Sequence, residues 1–261
     1  MSALDDLRAA IGFLTPLGGS SPSPSPTTMA WFPVVGAAVG CAIGNVWRWS
    51  WGRLAPFPAA VVAVTADCVV TGGLHLDGLA DTADGLFAHA PARARLDIMA
   101  EPQIGTFAAL ALGLALLGRT AALSALRPSP TLLTALYCAS RSVMVIASRA
   151  LPYARTEGLA SAFLPTGTAE LDRAFQAAAL GAAAALVLAR ATAGRSGAAA
   201  VLAGWAGAAG VFGLARRGLG GFTGDVLGAA GAVSETVALL VAAASRPSRE
   251  PAGKPARAAV K

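Results

Sequence analysis

Residues 196–215 read SGAAAVLAGWAGAAGVFGLA, twenty positions without a charged side chain. A helix of that length rises about 30 Å, the thickness of a bilayer's hydrocarbon core. The pattern recurs at 31–47, 56–75, 104–126, 131–148, 174–189 and 226–244. No stretch carries more than one charge; those present are Asp67, Arg119, Arg141 and Glu235.

Composition agrees. Hydrophobic residues fill 55% of the 261 positions, charged residues only 13%, and mean hydropathy is +0.61. Soluble domains carry about 25% charged residues, so this chain cannot build a water-facing shell and lipid must cover much of its surface. The expected fold class is all-α, a polytopic integral membrane helix bundle. It should have about seven transmembrane helices (six to eight), with 1–261 forming one membrane-embedded domain.

The flanks read differently. Residues 2–17 predict an interfacial helix, since Ala3, Leu4, Leu7, Ala10, Ile11 and Leu14 share one face in a run too short to span. Asp5, Asp6 and Arg8 in this run argue against a signal peptide. Residues 18–28, GGSSPSPSPTT, predict a mobile Pro/Ser linker. Residues 245–261 predict a disordered basic tail, with Arg246, Arg249, Lys254, Arg257 and Lys261 attracted to anionic lipid. The net charge of +6 is otherwise scattered, without the basic stripe and interleaved aromatics of a nucleic-acid binder, so nucleic acid is not an expected partner. Cys41, Cys68 and Cys138 lack metal-ligand spacing and read as small buried hydrophobes. Small residues at four-residue spacing, Gly36/Gly40/Gly44 and Gly181/Ala185, suit close helix packing in lipid, with alanine-rich composition as the plainer explanation. A homo-oligomer is left open.

With seven spans, the loops 76–103, 149–173 and 216–225 share the N-terminus's side of the membrane. Most acidic residues collect there. The stretch 72–85 reads GGLHLDGLADTADG and sets Asp77, Asp81 and Asp84 at i, i+4 and i+7. On a helix they fall within a sector of about 60° over about 10 Å of rise. Three carboxylates on one face repel one another unless a cation lies between them, and hard oxygen donors without cysteine favour Mg²⁺ or Mn²⁺. His75 precedes them on another face. The second feature is 220–228, GGFTGDVLG, a glycine-rich turn entering a helix and suited to an anion, where Thr223 and Asp225 can cap the helix or join a metal site. A third loop offers Arg149, Tyr153, Arg155 and Glu157. Inside the spans, Arg141 and Glu235 form a candidate ion pair.

The segment 72–85 resembles the signature of the cobalamin synthase (adenosylcobinamide-GDP ribazoletransferase) family. FLTPL at 13–17, IGTF at 104–107, SR at 140–141, YARTEGL at 153–159 and GGFTGDVLGA at 220–229 follow in the family's order. Glu101 and Ala232 depart from its usual residues. The resemblance implies a Mg²⁺-dependent transferase in the cell membrane, its active site facing the cytoplasm. It would move the cobinamide phosphate of adenosylcobinamide-GDP onto α-ribazole or its 5′-phosphate, releasing GMP. It implies Asp77, Asp81, Asp84 and Asp225 as metal ligands. Arg141, Arg155, Gly221, Thr223 and Gly224 would bind substrate, and Asp84, Asp81 and His75 are the catalytic candidates, Asp84 first as the base.

Two rivals remain. A carboxylate-using transporter would place its acids near the midplane of repeated halves, whereas these acids lie beside span ends. A CDP-alcohol phosphotransferase needs an arginine and longer acid spacing, which DGLADTADG lacks.

Overall fold

The computed structural model describes residues 2–19, 21–156, 158–164 and 168–245. Glu157 and the basic tail beyond Ser245 lie outside the described residues. Among those described, the chain is helical throughout, with one isolated bridge between Tyr153 and Phe222.

The helices are α1 (Ala3–Leu14), α2 (Phe32–Trp51), α3 (Pro56–Thr71), α4 (Leu74–Phe87), α5 (Ala92–Ile98), α6 (Thr106–Ala125), α7 (Pro130–Ala150), α8 (Thr168–Leu219) and α9 (Gly224–Ala244). Five are long and apolar enough to cross a membrane, or six if the bent pair α3 and α4 counts as one span. The longest of the five, α8, is two spans. Gly194 within it has φ 62° and ψ −141°, outside any helix. A straight helix would separate Gly181 from Trp205 by about 36 Å. Yet a Cβ at Gly181 would lie 2.8 Å from Ser142 Oγ, while the Trp205 indole donates to the Ala139 carbonyl at 3.2 Å, one turn along α7. The chain therefore doubles back at Gly194 into two antiparallel arms. With the two arms counted separately and the bent pair as one, the described residues offer seven candidate spans, within the expected six to eight.

Close backbone approach holds α2 to α7. A Cβ at Gly36 would meet the Tyr137 carbonyl oxygen at 2.6 Å, and one at Gly40 the Leu133 carbonyl oxygen at 2.4 Å. The glycine stripe is thus an interface, which matters in lipid, where van der Waals packing replaces water exclusion as the driving force.

The charges inside the bundle neutralise one another. Arg119 on α6 pairs with Asp67 on α3 at 2.5 Å and with Glu235 on α9 at 2.9 Å. Glu235 also pairs with Arg141 on α7 and accepts from Ser140 Oγ at 2.8 Å. Two cations and two anions on four helices therefore enclose one another, the arrangement an intramembrane charge requires. The Arg141–Glu235 pair expected from sequence is present.

At the N-terminal end, Ser2 and Asp5 form a capping box on α1. Asp6 is buried and accepts from the hydroxyls of Ser25, Thr27 and Thr28 at 2.8, 2.8 and 3.1 Å. Arg149 donates to the Pro26 carbonyl at 3.0 Å. Residues 25–28 of the expected linker are thereby pinned to α1 and α7. Phe13 of α1 packs with Phe32 and Phe163, the latter ring centred 4.6 Å away.

Between α3 and α4, Gly72 (φ 62°) and Gly73 (φ 70°) adopt consecutive left-handed conformations, which side chains with a Cβ resist. They turn the chain by 88°. As a result α4 lies across the end of the bundle instead of continuing through it. It packs on α9 and α6 at the end where α3, α7 and α8 finish.

Candidate active site

The turn at Gly72–Gly73 gives α4 two faces with different surroundings. His75, Gly78 and Leu79 are buried against the bundle, while Asp77 is exposed and Asp81 half-buried. Gly78 allows the approach: a Cβ there would lie 2.7 Å from the Asp225 carbonyl oxygen, so α4 rests on the first turn of α9.

That first turn is shaped by the glycine-rich stretch. Gly220 has φ 82°, and Gly221 sits so close under Pro152 that a Cβ would fall 2.1 Å from its carbonyl oxygen. Phe222 exchanges backbone hydrogen bonds with Pro152 and Ala154, at 2.9 and 2.8 Å. This bridge carries the loop of Tyr153 and Arg155 to the start of α9. Thr223 is fully buried and caps α9 by accepting from the Val226 N–H at 3.2 Å. Asp225 then points outward and pairs with Arg155 at 3.2 Å.

Between these elements lies a cavity of about 180 Å³, lined in part by His75, Asp77, Met144, Tyr153, Arg155 and Asp225. Its charged groups, Asp77, Arg155 and Asp225, are at least partly exposed, whereas His75, Met144, Ala160 and Leu227 are buried. Burial, and then the negative charges of Asp77 and Asp225, push the Asp81 carboxyl up to about 6, with Arg155 pulling the other way. Burial likewise pushes the Tyr153 phenol up, keeping it protonated. Asp77, Asp81 and Asp225 thus form an anionic patch with Arg155 as its partly compensating cation.

Asp84 is placed differently. Its Oδ2 accepts from the Gly105 N–H at 2.6 Å and its Oδ1 from the Ala108 N–H at 2.9 Å. From a neighbouring helix it satisfies the free N–H groups that begin α6. The described residues contain no group of three His, Cys, Asp or Glu side chains close enough to form a metal cage alone. Mg²⁺ is more often held by one or two carboxylates, with waters and substrate phosphates completing its shell. The hard, mutually repelling oxygens of Asp77, Asp81 and Asp225 fit that mode.

Of the residues singled out from sequence, Asp77, Arg155, Gly224, Asp225 and His75 share the cavity, and Asp81 interacts electrostatically with its acids. Gly221 and Thr223 shape the turn without lining the cavity. Arg141 is 1% exposed and reaches the cavity only through His75, whose Nδ1 lies 3.2 Å from its Nη2. Sequence reasoning gave no role to Phe13, Met144 or Leu227, which complete the wall. One more apolar side chain in an apolar chain carries no signal of its own. The partner of Arg119 was also missed: the charge at Asp67 was visible, its contact was not.

The cobalamin-5-phosphate synthase family model matches residues 6–243. An adenosylcobinamide-GDP ribazoletransferase of Bradyrhizobium diazoefficiens is 38% identical over 93% of this chain and 95% of its own. A protein of the same name from Mesorhizobium japonicum is 41% identical over 80% of both chains. One from Escherichia coli is 36% identical over 80% of this chain and 84% of its own. No solved structure matches the chain.

Proposed function

The chain belongs to the cobalamin-5-phosphate synthase family, and from that membership we propose a Mg²⁺-dependent adenosylcobinamide-GDP ribazoletransferase. The ribazole 3′-hydroxyl oxygen bonds to the phosphorus that carries cobinamide, the bond from that phosphorus to the bridging oxygen breaks, and GMP leaves. The product is adenosylcobalamin, or its 5′-phosphate when α-ribazole 5′-phosphate is the acceptor. The observation that carries this reading is the meeting of the α4 carboxylates with Arg155 and Asp225 at one cavity mouth.

Each group has a role there. Arg155 offers planar N–H donors to the diphosphate oxygens. Asp77 and Asp225 hold Mg²⁺. Bound there, the ion supplies positive charge to the diphosphate and to the departing phosphate oxygen. Asp81, with a proton affinity close to working pH, accepts the hydroxyl proton. Asp84 serves the site through α6, and the free N–H groups opening α9 favour an anion at Gly224. The protein lies in the cell membrane, its site on the cytoplasmic side, from which nucleotide-bearing substrate arrives.

The test is GMP release by the protein in nanodiscs, with adenosylcobinamide-GDP and α-ribazole. The reaction should need Mg²⁺, and Asp81→Asn should lower it by about 10²-fold or more. Mg²⁺-independent release, or full activity in Asp81→Asn, overturns the proposal.

A further inference from the structure

His75 carries a hydrogen that the proposed chemistry does not use. Its Nδ1 faces Arg141 Nη2 at 3.2 Å. A guanidinium has donors only, so Nδ1 must be the acceptor and the imidazole proton must sit on Nε2. Arg141 cannot turn away, because Glu235 and Ser140 hold its other terminal nitrogen. Glu235 is held in turn by Arg119, and Arg119 by Asp67. The tautomer is therefore fixed by a chain of charges anchored in four helices.

The Nε2–H is buried and has no hydrogen-bond partner among the described residues. Buried donors are rarely left unpaired without a functional reason. The imidazole forms part of the cavity's buried lining, with Met144 and Leu227, each 2% exposed, and Ala160, 3% exposed. The charged groups Asp77, Arg155 and Asp225 stand at the mouth. A phosphate belongs at that mouth. The buried part of the lining, apolar apart from the imidazole, suits a flat uncharged ring bearing one acceptor atom that the Nε2–H can reach.

We propose that His75 determines specificity for the acceptor substrate, its Nε2–H donating to the unsubstituted ring nitrogen of the ribazole base. The Asp67–Arg119–Glu235–Arg141 chain positions His75 for that contact. The inference rests on the function proposed above, which supplies the ring.

The chain has two histidines, His75 and the exposed His89, so ¹⁵N-histidine NMR of the protein in nanodiscs is readily assigned with a His89→Gln control. His75 should show a protonated Nε2 and an unprotonated Nδ1, and α-ribazole should move the Nε2 proton downfield. Protonated Nδ1, or a signal indifferent to saturating α-ribazole, overturns the proposal. Kinetics supply the second arm. His75→Asn keeps an acceptor for Arg141 but withdraws the donor, and it should raise KM for α-ribazole about tenfold while kcat and KM for adenosylcobinamide-GDP stay put. His75→Gln, which returns an N–H near the Nε2 position, should restore KM. An indole riboside, with C–H replacing the ring nitrogen, should bind the wild type more weakly and not distinguish it from His75→Asn. Equal KM for α-ribazole in wild type and His75→Asn overturns the histidine's role while GMP release continues. Absence of GMP release from every variant and the wild type overturns the function itself.

Discussion

Arg119 Nη1 lies 2.5 Å from Asp67 Oδ2, joining α6 to α3 inside the part of the bundle that lipid surrounds. The same guanidinium continues to Glu235 on α9, which receives Arg141 from α7. Glu235 is therefore the anion shared by two cations. Glu235→Gln leaves a guanidinium short of its counter-charge in a dry interior, where breaking a buried pair costs about 3–5 kcal/mol. The melting temperature in detergent should fall sharply. An unchanged melting temperature would show that the network carries no stability.

The α2–α7 interface makes a second, purely steric prediction. A methyl at Gly40 falls 2.4 Å from the Leu133 carbonyl oxygen, backbone that cannot step aside. Gly40→Ala should cost about 1–3 kcal/mol by overpacking. Gly113→Ala on α6, where nothing lies within 4 Å of the added carbon, should be neutral or gain about 1 kcal/mol of helix propensity. Thermal scans of the two variants should separate in opposite directions; equal shifts would refute the close contact.

Asp84 and Asp81 should part company under the same substitution. Asp84→Asn turns an amide N–H₂ toward a backbone N–H of α6, losing a cap worth about 0.5–2 kcal/mol. It should melt earlier yet retain measurable turnover at low temperature. Asp81→Asn should melt no earlier than wild type and lose turnover. If Asp84→Asn is inactive at undiminished stability, Asp84 belongs to the chemistry.

Mg²⁺ binding should weaken in acid. Asp81 without metal takes up its proton near pH 6, and that proton removes one negative charge from beside Asp77 and Asp225, the residues proposed to hold the cation. Protons thus compete more strongly as pH falls. Between pH 7.5 and 5 the apparent affinity should drop by about tenfold, read by calorimetry, and Asp81→Asn should flatten that slope. An equal slope in both proteins would remove Asp81 from the metal's surroundings.

How much of this was legible in the sequence differs between residues. The spans were, because twenty uncharged positions admit few structures, and so was the grouping of loops at one end, which follows from span parity. Asp77, Asp81 and Asp84 were visible as a helical row. What spacing could not reveal was that Gly72 and Gly73 would lay that row across the bundle. Nor could it reveal that Asp84 would turn to the backbone of α6 instead of the cavity. Both depend on where a distant helix begins. Arg141 was legible as a partner of Glu235, since two lone charges inside neighbouring spans must seek each other; its contact with His75, in place of the substrate contact the family resemblance implies, forms only once α4 has packed against α7.

The cavity's modest volume, about 180 Å³, bears on how the proposed reaction sits on the protein. It is too small for a corrin macrocycle, so most of the larger substrate would lie beyond it, in the wider groove of about 750 Å³ that shares Phe13, Leu74 and Asp77 with the cavity.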